Sequence, residues 1–266
     1  MTISIQSPVT VSNADNSFVR LAEQGSSGLR INSAADDAAG SAIAQRLGTR
    51  FDGLTVAARN IGDGLSMLRT RSGMASGLVE QVQRMRELSV QANNGILSPQ
   101  DRIALNREFV GLRETVVQQL GSAEFNGRRL FSADAQTLQT GSSAGQTTVL
   151  AGNELPERLE ALEFSSLSLA EAGDLGTTVT ALDDALAAFT ESQVQDGAAA
   201  NRLLSQADNL AQGRIDVASA RSQVADKDFA ELATELAQSD VKDRVRVLMQ
   251  SQANAGREDV LRLLTS

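Results

Sequence analysis

The sequence predicts a mainly α fold: a long antiparallel helical rod, or coiled-coil bundle, with a small β-hairpin region in its middle. Three observations carry this. Proline occurs only at positions 8, 99 and 156, so residues 9–98 and 157–266 are free of the strongest helix breaker. Apolar residues recur alternately four and three apart over long stretches, the spacing of a helix seam. Phe is the only aromatic, at 3% of 266 residues, which is little ring bulk for an ordinary globular core.

The first seam runs through Leu47, Phe51, Leu54, Ala58, Ile61, Leu65, Leu68, Ser72, Ala75, Val79 and Val82, and only Ser72 is polar. A helix from about Asn32 to Asn94 would be roughly 90 Å long at 1.5 Å per residue. Ser33-Ala34-Ala35-Asp36 has the form of a capping box at its start, and Asn93-Asn94-Gly95 of a stop. Arg71 falls off this seam, so Arg71→Asp is expected to be near neutral while Leu65→Asp breaks the seam. Gly48, Gly53, Gly62, Gly64, Gly73 and Gly77 lie inside the helix, where each costs roughly 1 kcal/mol against Ala. Their expected use is close approach of neighbouring helices.

A second helix restarts at Ser98-Pro99-Gln100-Asp101, with Ser98 as cap and Pro99 in the first turn. Leu105, Phe109, Leu112 and Val116 form its seam, and the short link at 95–98 makes it an antiparallel neighbour of the first. Next, Phe125-Asn126-Gly127-Arg128 carries Asn-Gly, a strong hairpin turn signal. Gln136 to Leu150 reads as two short strands around Gly141–Gly145, with Thr147, Thr148, Val149 and Leu150 as good strand formers.

Helical patterning returns from about Thr178 to Leu264. Leu182, Ala185, Leu186 and Phe189 form one stripe; Leu203, Ala207 and Leu210 form another. The third is Phe229, Leu232, Leu236, Val241, Val245 and Leu248, with a five-residue stutter after Leu236. Gly197 and Gly213 mark potential bends. The chain closes on an apolar run of Val260, Leu261, Leu263 and Leu264.

The composition excludes much chemistry. There is no Cys and no His, so no thiol nucleophile, disulfide, Cys/His zinc site or imidazole base. A net charge of −9 disfavours binding to a phosphate backbone. No stretch is long and apolar enough for a membrane span, and residues 1–10 lack the basic and apolar regions of a secretory signal. Gly141–Thr148 superficially resembles a phosphate loop, but Gln146 stands where a lysine would be needed. Asp36-Asp37 and Asp183-Asp184 could be catalytic carboxylate pairs; acids near a helix start, complementing its dipole, are the better reading. No catalytic, cofactor-binding or metal site is expected, and the chain is read as a non-enzyme.

Ser26-Ser27-Gly28-Leu29-Arg30-Ile31-Asn32-Ser33-Ala34-Ala35-Asp36-Asp37-Ala38-Ala39-Gly40 closely resembles the N-terminal signature of bacterial flagellin. The similarity continues through Ala58-Arg59-Asn60, Asp63-Gly64 and Gln83-Arg84-Met85-Arg86-Glu87-Leu88-Ser89-Val90-Gln91-Ala92. It returns at Glu124-Phe125-Asn126-Gly127, at the hairpin of 136–150, and at Ala253-Asn254 with Asp259-Val260-Leu261-Arg262-Leu263-Leu264. The order and spacing of these motifs make a strong match over most of the chain, in a short form without the inserted outer domains. The segment before Gly25 is shorter than the usual family leader.

The resemblance implies a structural subunit that polymerises into the bacterial flagellar filament for swimming motility. It implies residues 1–32 as a short N-terminal part of an inner polymerisation domain plus linker. Residues 33–225 would be the helical rod domain, with β-hairpins about 122–152, and residues 226–266 the C-terminal helix of the inner domain. The implied partners are further copies of the chain or other flagellins, the flagellar export apparatus and its chaperone, and hook-associated junction and cap proteins. The implied location is the extracellular flagellum, reached without a cleaved signal peptide. A flagellin-sensing Toll-like receptor is a further implied partner, through Arg84, Leu88 and Glu108. Read from the residues alone, Arg84 and Glu108 are charges on a solvated helix face and Leu88 is half-buried. The expected assembly residues are Phe229, Leu232, Leu236, Val241, Val245, Leu248, Val260, Leu261, Leu263 and Leu264, because a lone amphipathic terminal helix cannot bury its own apolar face. Alternatives are a hook–filament junction protein and a generic coiled-coil scaffold or export chaperone.

Overall fold

A computed structural model describes the backbone of residues 12–170 and 175–265, and the side chains of 18–170 and 175–253. The fold is mainly α with two small antiparallel hairpins, as the sequence predicts. The order is α1 (Ser12–Ser27), α2 (Ala38–Ala92), α3 (Pro99–Ser122), β1 (Glu124–Phe125), β2 (Arg128–Arg129), β3 (Gln136–Gln139) and β4 (Thr147–Leu150). Then come α4 (Leu155–Ala161), a 3-10 turn at Phe164–Ser166, α5 (Leu175–Ala225) and α6 (Phe229–Thr265). The chain divides into two compact units: Met1–Thr49 with Asp216–Ser266, and Arg50–Ile215.

In the unit of residues 50–215, α2 runs antiparallel to both α3 and α5. Arg84 reaches Glu108 and Gln81 reaches Gln119 on α3. Arg86 reaches Asp183, and Ser76 reaches Gln193, on α5. The buried band of α2 runs through Leu54, Ala57, Ile61, Gly64, Leu65, Met67, Leu68, Arg71, Ala75, Leu78, Val82, Met85, Leu88, Ser89 and Ala92. Leu54, Ile61, Leu65, Leu68, Ala75 and Val82 of the expected seam are buried, while Ala57, Arg71 and Leu78 are buried in place of their neighbours Ala58, Ser72 and Val79. Two flanking partners require a band wider than a single coiled-coil seam.

That shift overturns the reading of Arg71. Its side chain is 8% exposed and pairs with Asp196, itself 3% exposed, through Nε–H to Oδ2 at 2.9 Å and Nη2–H to Oδ1. Such a fork gives two charge-assisted bonds in a dry site, so Arg71 belongs to the core.

The expected use of the α2 glycines holds at one position and is corrected at the others. Gly64 lies against both Leu138 of the β3–β4 hairpin and Leu203 of α5, whereas Gly53 lies against Ser142 and makes room for the hairpin. A Cβ added at Gly48, Gly62, Gly73 or Gly77 would meet nothing within 4 Å. The hairpin is further fixed by Asn60, whose Nδ2 donates to the Gln139 carbonyl at 3.0 Å, and by Thr148, which donates to Gln206 at 2.9 Å.

Both hairpins form where expected. In β1–β2, Asn126 (φ 52°) and Gly127 (φ 75°) make the left-handed pair of a two-residue turn. In β3–β4, Gln136 faces Leu150 and Gln139 faces Thr147. The Ser98 box also forms, with Asp101 N donating to Ser98 Oγ and Ser98 N to Asp101. The sequence pattern does not predict α4, which carries Pro156 in its first turn. Gly197 and Gly213 do not interrupt α5.

In the unit of residues 1–49 and 216–266, α1 packs against α6. Gly28 (φ 70°) ends α1, its N–H donating to the Gln24 carbonyl at 2.9 Å. The Ser33–Asp36 box closes a turn and does not start the helix. Asp36 Oδ2 accepts from the N–H groups of Asn32 and Ser33, and α2 begins at Ala38 with Asp37 accepting from Gly40 N at 2.8 Å. The dipole reading of Asp183 is replaced too. It sits two turns into α5 as the partner of Arg86, whose hydrogen bond holds its carboxyl below the usual range.

Candidate assembly surface

The candidate surface begins where α5 breaks and α6 starts. The break is held by backbone pairing: Arg30 N donates to the Ala225 carbonyl at 2.7 Å, and Lys227 N to the Gly28 carbonyl at 3.0 Å. Arg30 Nη2 donates to the Val224 carbonyl at 2.6 Å, satisfying a terminal carbonyl of α5. Asp228 then caps α6, accepting from Ala230 N at 2.8 Å. The Lys227 ammonium is buried between Glu235 (2.9 Å) and Glu231 (3.2 Å). Its hydrogen bond to Glu235, then that to Glu231, outweigh burial and raise its pKa above the usual lysine value.

Beyond this anchor the apolar stripe of α6 loses cover. Leu232 is buried close to Gly25 of α1, and Leu236 is half-buried. Phe229, near Gly28, is 62% exposed; Val241, Val245 and Leu248 are also exposed. Val247 and Met249 are exposed apolar residues that the 4–3 stripe did not include. They lie on the flanks of the helix, so α6 offers apolar surface over more than one face. A signal existed in the run Val245-Arg246-Val247-Leu248-Met249, which is apolar at four of five positions. Val260, Leu261, Leu263 and Leu264 lie in α6 by backbone, and their side chains are outside the described residues.

The expected receptor residues meet at one place on α2 and α3. Arg84 donates to Glu108 at 2.9 Å and to Glu87 at 3.1 Å, and these bonds raise its pKa, Glu108 contributing most. Arg84 and Glu108 are about half exposed. Leu88, expected to be half-buried, is fully buried in the core.

Among the described residues, no group of three or more His, Cys, Asp or Glu side chains could hold a metal ion, and no helix is long and apolar enough to cross a membrane.

Residues 2–136 match the bacterial flagellin N-terminal helical region, and residues 179–264 match the bacterial flagellin C-terminal helical region. The chain belongs to the bacterial flagellin family. A flagellin of Halalkalibacterium halodurans is 32% identical over 244 residues, covering 91% of this chain and 90% of that one. The Escherichia coli flagellin is 35% identical over 176 residues, 66% of this chain but only 32% of its own length. The Phase 1 flagellin of Salmonella naestved is 38% identical over 149 residues, 56% of this chain and 30% of that one. The chain is therefore a short flagellin, spanning nearly all of the first relative and about a third of the enterobacterial ones. The crystal structure of Bacillus cereus flagellin aligns with a TM-score of 0.51 at 26% identity, covering 57% of this chain and 88% of that one. A Vibrio parahaemolyticus structure described as a flagellar hook-associated protein aligns at 0.61 with 17% identity, over 72% of this chain and 100% of that one; it shares the fold. As a flagellin, the chain is a structural subunit of the flagellar filament.

Proposed function

We propose that the chain polymerises through α6, with α1 as a partial cover and the terminal run Val260, Leu261, Leu263 and Leu264 buried against neighbouring subunits. The observation that supports this most is the uncovered apolar surface from Phe229 to Met249, of which only Leu232 is buried. Water-exposed aliphatic side chains in such number mark an interaction surface. A repeated contact between unlike patches that does not close generates a helical filament. In this reading residues 1–32 and 226–266 form the inner polymerisation domain and 33–225 the helical rod domain. Phe229, Leu232, Leu236, Val241, Val245 and Leu248 belong to the assembly surface.

The remaining parts of the reading follow from that role. The chain works as a building block outside the cell and catalyses nothing. Its partners are further flagellin copies, the export apparatus and its chaperone, and the junction and cap proteins of the filament. For a flagellin-sensing Toll-like receptor, Arg84 and Glu108 are the surface contacts. Leu88 acts from within the core by holding α2 in position.

Removal of Asp259–Ser266 tests the assembly role. Sedimentation is expected to show loss of polymer, while circular dichroism shows an unchanged melt of the unit formed by residues 50–215. Normal polymer from the truncated chain would refute the role of this segment.

A further inference from the structure

The chain carries two Asn-Gly pairs, Asn94-Gly95 and Asn126-Gly127, and both asparagines are exposed. Asparagine is thermolabile, because the backbone nitrogen of the next residue can attack its side-chain amide carbon. Glycine in that next position has no Cβ to shield the nitrogen. By sequence the two pairs are alike, and the structure separates them.

Asn94 lies in the turn between α2 and α3. The Ile96 N–H donates to Asn94 Oδ1 at 3.2 Å, which folds the side-chain amide back over the Gly95 peptide. Negative charge develops on that oxygen when a nucleophile adds to Cγ, so the Ile96 N–H already stands where an oxyanion would be stabilised. Neither Gly95 N nor Asn94 Nδ2 has a hydrogen-bond partner among the described residues, so the attacking nitrogen and the leaving amide are both free. The turn itself is tied by two exposed backbone bonds, Asn94 N to the Gln91 carbonyl and Leu97 N to the Asn94 carbonyl, both 3.1 Å. A Cβ added at Gly95 would meet nothing within 4 Å, so nothing crowds a ring forming there.

Asn126 is held differently. It and Gly127 form a two-residue turn at φ 52° and 75°, clamped by the strand pairs Phe125–Arg128 and Glu124–Arg129. Beyond these pairs Leu130 N donates to the Ala123 carbonyl at 2.9 Å. No described N–H donates to the Asn126 side-chain oxygen. Bringing Gly127 N onto Asn126 Cγ works against pairing on both sides of the turn.

We propose that Asn94 is the site at which this chain deamidates without an enzyme, and that the hairpin spares Asn126. Gly95 N bonds to Asn94 Cγ, the Cγ–Nδ2 bond breaks, and ammonia leaves with the proton from Gly95 N. Water then opens the five-membered imide. Attack of water at Cγ gives aspartate, whose carboxylate still accepts from Ile96 N. Attack at the main-chain carbonyl carbon gives isoaspartate, which adds a methylene to the backbone and displaces the carbonyl that accepts from Leu97 N. Isoaspartate therefore loosens the link between α2 and α3, and aspartate preserves it.

Trypsin separates the two sites, with Asn94 in 87–102 and Asn126 in 114–128. The full chain is incubated in mildly alkaline buffer and digested, and the acid form of each peptide is followed by mass spectrometry. In the folded chain 87–102 is expected to convert at least about 10-fold faster than 114–128, the factor given by about 1.4 kcal/mol of barrier. Fragment ions are expected to place the change at Asn94, with isoaspartate among the products. In denaturant the two rates should converge, since only the Asn-Gly chemistry is left. Gly95→Ala shields the attacking nitrogen in open space, and it is expected to slow conversion at least about 10-fold with an unchanged melt. Equal rates in the folded chain, a faster 114–128, a difference that persists in denaturant, or Gly95→Ala converting at the wild-type rate would each overturn the proposal.

Discussion

Arg71→Met tests the placement of a charged pair in the core of the unit formed by residues 50–215. The substitution leaves the Asp196 carboxylate 3% exposed with no guanidinium beside it. Removing one partner of a buried ion pair typically costs about 3–5 kcal/mol, mostly for the charge left behind. For a unit of this size each kcal/mol moves the melting midpoint by about 2–4 °C, so the melt is expected to fall by roughly 6–20 °C. The double variant Arg71→Met/Asp196→Leu removes both charges and fills the space with apolar atoms. It is expected to recover most or all of the loss, because well-packed apolar replacements of buried pairs are often neutral or stabilising. Thermal melts by circular dichroism on wild type, both single variants and the double variant form a double-mutant cycle. A single variant that melts within about 2 °C of wild type would refute the buried pairing, as would a double variant as unstable as the worse single one.

Further outcomes are expected. Ser98→Ala removes the oxygen that accepts from Asp101 N and should cost about 1 kcal/mol in urea denaturation, with Ser98→Asp recovering most of it; no change would place the cap outside the cooperative unit. The Asp36 carboxyl, held below its ordinary value of 3.8 chiefly by the Ser33 N–H, should protonate at a lower pH than free aspartate. A depressed pKa means that its stabilising effect is complete above the unfolded value and is lost as pH falls through the folded one. An NMR titration of Asp36 with its midpoint at or above the ordinary value would contradict this.

Much of the fold was legible because the strongest signals are local. Asn126-Gly127 dictates a left-handed two-residue turn whatever surrounds it, and Ser98-Pro99-Gln100-Asp101 carries its own hydrogen-bond partners. The band of α2 was legible in its apolar positions. Leu54, Ile61, Leu65, Leu68, Ala75 and Val82 are apolar and visible, whereas Gly64, Arg71 and Ser89 are buried without being hydrophobic. Arg71 in particular is buried because Asp196 faces it from 125 positions away, which no periodicity in α2 encodes. The seven-residue α4 is too short for a periodic pattern, and only Pro156 hinted at it. The assembly surface was legible as a stripe because α6 alternates four and three. Its flanks at Val247 and Met249 were not, since exposure on a second face reflects a missing neighbour and leaves no mark in spacing. Leu88 looked half-buried beside charged neighbours; packing among the helices removed it from the surface.

Self-assembly is tested most directly by electron microscopy of the purified chain, seeded with filament fragments and brought to salting-out conditions. Filaments of uniform diameter are expected from the full chain, and none from the chain lacking Asp259–Ser266. A full chain that stays a soluble dimer under these conditions would contradict assembly into a filament and favour a coiled-coil scaffold.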